Sequence, residues 1–202
     1  MLFLAVSGRA AGAWVAGEPD TARIRLSLLT AWLSFALLVV ALGLGPWETL
    51  RTGRPVLNSL LRRDIGVWAA LTGLAHLVVA TAVVMRPAYI RAYFTGPSEA
   101  PLPALTWWAG TSGIVAGYLV GLLVLMLLTL SNNWSLGRLG AARWKRLQGV
   151  ATLALVLTIA HGVVFQMLEG RTRGWLAGLV VVSTAILLLR RRARRAVAAP
   201  AG

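Results

Sequence analysis

The chain has no cysteine. Disulfides, iron–sulfur clusters, covalent haem attachment and thiol chemistry are therefore excluded. Acid is scarce, with six Asp and Glu against twenty Lys and Arg, and there are only two histidines. Also missing is any polar stretch large enough to fold outside a membrane. These residues therefore hold no Rossmann unit, no flavin or nucleotide domain and no phosphate loop.

What is present is apolar. Of 202 residues, 58% are hydrophobic and 13% charged. A run of about 20 apolar residues crosses a hydrocarbon core of about 30 Å. In lipid every backbone polar group is satisfied within the segment, which makes each run a helix. The expected fold is all-α, a polytopic membrane helix bundle. Net charge is +14. Arginine in loops facing the cytoplasm accounts for it, so no nucleic acid partner is expected and membrane lipid is.

Five spans are expected, at about Leu26–Leu44, Ile65–Met85, Trp108–Leu130, Leu147–Leu168 and Trp175–Leu189. Pro46 and Trp47 are expected to end the first at an interface. Residues 1–25 form an N-terminal segment. Its first 17 residues, MLFLAVSGRAAGAWVAG, are apolar but short and broken by Arg9. They read as a short first span or as an interfacial helix. No basic region precedes them, so they do not read as a signal peptide. Glu18 to Arg25 reads as a polar linker. The bundle domain covers residues 26–189, and residues 190–202 form a basic tail opening RRRARR.

The loops after the first and third spans, with the tail, carry thirteen basic residues, against four in the loops after the second and fourth. Positive loops face the cytoplasm. The expected location is therefore the inner or plasma membrane, multi-pass, with the C-terminus cytoplasmic. The second and fourth spans then run parallel, from inside to outside.

Each of those two spans carries one of the two histidines. His76 lies 13 residues past Arg63 and His161 lies 15 past Arg146. At 1.5 Å per residue these are depths of about 20 and 22 Å. Two axial ligands of one haem on two helices must share a depth, and these do. An ionisable residue inside a membrane span marks a functional site by default. Three readings are open: ligation of one b-type haem by His76 and His161, a proton relay or substrate site, and structural hydrogen bonding. Zinc is disfavoured, because no carboxylate or cysteine at that depth completes a site. Thr72 and Gly73 lie a turn below His76, with Ala69 and Ala80 on the same face, and such small residues leave room for a flat macrocycle. Thr158 lies a turn below His161, where its oxygen is placed to accept the imidazole N–H and orient the ring. Gly110, Gly113, Gly117 and Gly121 share a face of the third span and read as a close helix-packing surface.

RRDIGVWAALTGLAHLVVAT (Arg62 to Thr81), LLTLSNNWSLGRLGAARWKRLQG (Leu127 to Gly149) and the run onward to His161 resemble the ferric reductase-like transmembrane domain family. Within it they are most similar to the haem-binding membrane subunits of bacterial methionine sulfoxide reductase systems. The resemblance covers about Leu26 to Leu189. It implies a b-type cytochrome, the electron-transfer component of an oxidoreductase system, with His76 and His161 as axial ligands to haem iron. Quinol or a separate flavin reductase would be the electron donor. A periplasmic or extracellular redox partner, or a small acceptor at the outer face, would receive the electrons. The wider family stacks two haems on histidine pairs about 13 or 14 residues, roughly 20 Å, apart on each helix. Counting back 14 from His76 reaches Arg62, and 13 from His161 reaches Gln148. The outer pair is kept and the inner pair is not, which implies one haem b near the outer face. A bundle that keeps this fold as a non-redox scaffold or small transporter is the alternative expectation.

Overall fold

The computed structural model describes residues 21–53, 60–84, 87, 91, 93–96, 103–168 and 173–198. The expectation for residues 1–17 lies outside them, as do Arg54 and most of the loop from Arg86 to Leu105. Among the described residues six long helices follow in order: α1 (Thr21–Thr52), α2 (Leu60–Val84), α3 (Ala104–Leu130), α4 (Asn133–Gln148), α5 (Ala151–Leu168) and α6 (Arg173–Ala198). α1, α2, α3 and α6 each contain a segment long and apolar enough to cross a membrane, and the fifth such segment runs through α4 into α5, Asn133–Leu168. The fold is an all-α membrane helix bundle.

The helices close into a ring. α1 packs on α2 and α6, α2 on α3, α3 on α5, and α5 on α6. Two small apolar cores hold it. Phe35, Leu42, Leu155 and Leu179 join α1, α5 and α6, while Ile114 and Leu168 join α3 and α5 around Tyr93. Outward-facing leucines, valines and tryptophans such as Leu29, Trp68, Val78, Leu122 and Val181 stay exposed, as a lipid-facing surface requires.

Four boundaries differ from the sequence expectation. α1 begins at Thr21, inside the expected linker, and continues through Pro46 to Thr52. Proline removes one helical hydrogen bond. Leu42 and Thr49 are buried on either side of it, so packing carries the helix across the gap. The loop carrying Arg138, Arg143, Lys145 and Arg146 is α4. Asn132 caps α4 by accepting from the Ser135 N–H at 2.7 Å. The Ser135 hydroxyl and the Trp144 indole N–H donate to the Thr129 and Leu130 carbonyls, satisfying the end of α3. Within α4 the chain breaks at Gly140, whose φ of 72° lies in the left-handed region that glycine enters without steric cost. Finally, the RRRARR stretch is helical. α6 carries it to Ala198, with Arg190 donating to the Thr152 hydroxyl on α5 and Ala193 buried.

These contacts orient the ring. The C-terminal part of α6, the first turn of α5, the end of α1 and the start of α2 meet at one arginine-rich end. Arg63 at the start of α2 donates to Asn133, at the α3 to α4 junction, at the same end. α2 and α5 therefore run parallel.

Candidate functional site: two imidazoles in a ring of five helices

Inside the ring is a cavity of about 210 Å³, lined from α1, α2, α3, α5 and α6. Both histidines stand on its wall. Their ring centroids are 6.3 Å apart and the planes are inclined at 74°. Parallel helices and matched depth bring together two residues separated by most of a hundred positions in the chain.

Each imidazole is held by a backbone carbonyl of a neighbouring helix. His76 Nδ1 donates to the Ser27 carbonyl on α1 at 2.8 Å, with the Ser27 hydroxyl 3.3 Å away. His161 Nδ1 donates to the Gly113 carbonyl on α3 at 2.8 Å. A carbonyl oxygen only accepts, so in both rings the proton of the neutral imidazole sits on Nδ1. Nε2 then carries the lone pair. This is the arrangement in which a ligating imidazole is oriented through its other nitrogen.

The wall leaves room by omission. A Cβ on Gly117 would come within 2.8 Å of His161 Cε1 and 2.9 Å of its Nδ1. The absence of a side chain there lets the Nδ1–Cε1 edge of the ring approach α3. Gly73, Ala80 and Gly121 also line the cavity. Phe165, one turn beyond His161, tilts against its ring at 4.9 Å between centroids. Thr81 and the Tyr118 hydroxyl, both on the wall, bond to each other at 3.1 Å. Gln166 is buried on the same wall with its amide oxygen unpartnered.

Two details depart from the sequence expectation. Thr158 lines the cavity but its hydroxyl donates to the Ala154 carbonyl at 2.8 Å, and the Gly113 carbonyl orients His161 instead. Thr72 and Ala69, read as leaving room for a macrocycle, are not on the cavity wall, and Thr72 donates to the Trp68 carbonyl of its own helix. A helical threonine has its acceptor one turn back, always within reach. The α3 glycines do form a close-packed face, and what packs on it includes His161. The two carbonyl partners left no mark in the sequence, since every residue has a carbonyl. The signal within reach was the glycine pair, Gly113 and Gly117, on the face that meets α5.

The donor set fits a bis-imidazole haem. Metal–imidazole bonds of about 2.0 Å, with each ring centre about 1 Å beyond its nitrogen, put two axial rings about 6 Å apart. The pair offers two neutral nitrogen donors at that spacing, on the wall of an apolar cavity. No cluster of three or more His, Cys, Asp or Glu side chains occurs among the described residues.

The positions 14 residues before His76 and 13 before His161 look different. Arg62 lies against Gly45, and Gln148 ends α4. Neither offers a nitrogen lone pair. Comparison with known proteins gives no match to any family model, curated protein or solved structure.

Proposed function

We propose that the protein is an integral membrane b-type cytochrome, the electron-transfer component of an oxidoreductase system. The observation that supports this best is the pair of imidazoles 6.3 Å apart, each with its Nδ1 proton given to a carbonyl. His76 and His161 would hold haem iron through Nε2. A haem so ligated supplies one-electron chemistry. The chain's own work is then to fix both rings, keep both imidazoles neutral and exclude water. The carbonyls of Ser27 and Gly113 do the first, since an imidazole whose Nδ1–H is held donates its other nitrogen in a set direction; the apolar wall, in which a buried charge is costly, does the second. The surrounding ring of apolar helices does the third.

Quinol in the bilayer, or a separate flavin reductase, is the proposed donor, and an outer-face partner or small molecule the acceptor. In the proposed orientation the arginine-rich end and the C-terminus face the cytoplasm, following the excess of Lys and Arg there. The histidines then lie toward the outer face. The test is the visible spectrum of the purified protein, oxidised and reduced with dithionite. A reduced α band and a shifted Soret band are expected; a featureless spectrum after expression with haem supplied would overturn the reading.

A further inference from the structure

The arginine-rich end holds a second cavity of about 310 Å³, separate from the histidine site. Its wall carries four cations, Arg62 from α2, Lys145 from α4, and Arg190 and Arg194 from α6, with Gly45 and Thr49 of α1 behind them. Among the described residues no acidic side chain lines it. Arg190 is close enough to Arg62 and Arg194 for their charges to oppose one another. One Arg190 Nη donates to Thr152, while its buried Nε–H has no hydrogen-bond partner. Like charges gathered from three helices, with a buried guanidinium donor left over, cost stability unless something negative enters. Arginine forks and a lysine point charge fit phosphate oxygens.

The level of the cavity is marked too. Trp47, next to Pro46 on its rim, is 63% exposed, as a tryptophan at a membrane interface is. Leu50 and Val197 also present exposed apolar side chains at this end. We propose that this cluster is a binding site for a phosphate-bearing anion at the arginine-rich end of the bundle, presented either by an anionic phospholipid headgroup or by a soluble phosphate compound. Basic pockets between membrane helices on the positive side suit such headgroups. The anion would tie α2, α4 and α6 together and would meet the buried Arg190 Nε–H.

The test uses the full chain in an uncharged detergent, reading thermal stability against three separate titrations. The probes are inorganic phosphate, short-chain phosphatidylglycerol and short-chain phosphatidylcholine. A rise in Tm with phosphatidylglycerol but with neither other probe assigns the site to an anionic headgroup. A rise with inorganic phosphate as well assigns it to phosphate itself, free or esterified. No rise with either anion, or an equal rise with phosphatidylcholine, overturns the proposal. Arg190→Gln should weaken the apparent Kd about tenfold or more, the loss of one charge-assisted hydrogen bond. Exposed Arg194→Gln, which leaves the packing untouched, should weaken it in the same direction and leave any haem spectrum unchanged. Wild-type affinity in both variants overturns the site, whatever the spectrum shows about the histidines.

Discussion

An imidazole in a bilayer needs a partner for its N–H, and here both N–H groups find carbonyls on a neighbouring helix. Each Nε2 is thereby left with its lone pair directed by the backbone. His76→Ala and His161→Ala should each abolish a low-spin haem spectrum, because one imidazole leaves the iron five-coordinate. A full-occupancy low-spin spectrum in both variants would count against the pair. Gly117 offers a finer test. Its added Cβ would press on His161 Cε1 and Nδ1 at under 3 Å. In Gly117→Ala the ring must turn, and turning loses the Gly113 bond. Haem absorbance per unit protein should fall in that variant. Gly66 has nothing within 4 Å of its would-be Cβ. Gly66→Ala should keep the full spectrum and gain roughly 0.5–1 kcal/mol in stability from helix propensity. Equal absorbance in the two variants would mean that contact with α3 does not orient His161.

At the scale of the helix, hydropathy located all five spans, because lipid exposure writes the pattern directly into each segment. The matched depth of the two histidines was legible for the same reason, since helical rise converts sequence spacing to height. The ends of the helices were not. Pro46, the RRRARR stretch and the α4 segment all read as breaks, yet each is helical because neighbouring helices pack on it or cap it. The orientation of His161 was misassigned to Thr158, since the true partner is a backbone atom on a different helix. The one real break, Gly140, carries a signature that a sequence holding 21 glycines conceals. Gly140→Ala places a Cβ in the left-handed region, which costs about 1–2 kcal/mol. A lower Tm is expected there, and an unchanged one would show that α4 can straighten. Orientation across the membrane is tested at this scale as well. A reporter fused after Gly202 should read cytoplasmic, and one inserted after Ser98 should read outside. The reverse result would exchange the donor and acceptor sides.

Across the whole molecule, the two ends of the bundle are chemically unlike. Toward one end the ring encloses neutral imidazoles in an apolar cavity; the other end holds four cations around a separate one. A second haem at the arginine-rich end would need two lone pairs from the residues in the inner-tier positions. Arg62 is permanently charged and has none, and its guanidinium lies against Gly45. Gln148 offers only an amide oxygen, from the last residue of α4. The expected stoichiometry is therefore one haem per chain, measured by pyridine haemochrome against quantified protein. Gln148→His supplies one of the two missing ligands and leaves Arg62 in place. It should still give one haem, because a single imidazole facing a guanidinium does not complete an axial pair. A ratio near two in the wild-type chain would show that other residues ligate at that level. A ratio near two only in Gln148→His would show that the arginine-rich cavity can admit a macrocycle and lacks only its ligand. On the proposed reading, with one haem toward the outer face, electrons from the cytoplasmic side would face a gap of about 20 Å along the helices. Reduction by quinol in membranes should then be faster than reduction by a soluble flavin reductase added to the arginine-rich side. Stopped-flow absorbance on protein in oriented vesicles compares the two, and faster reduction by the flavin enzyme alone would require a carrier bridging that end.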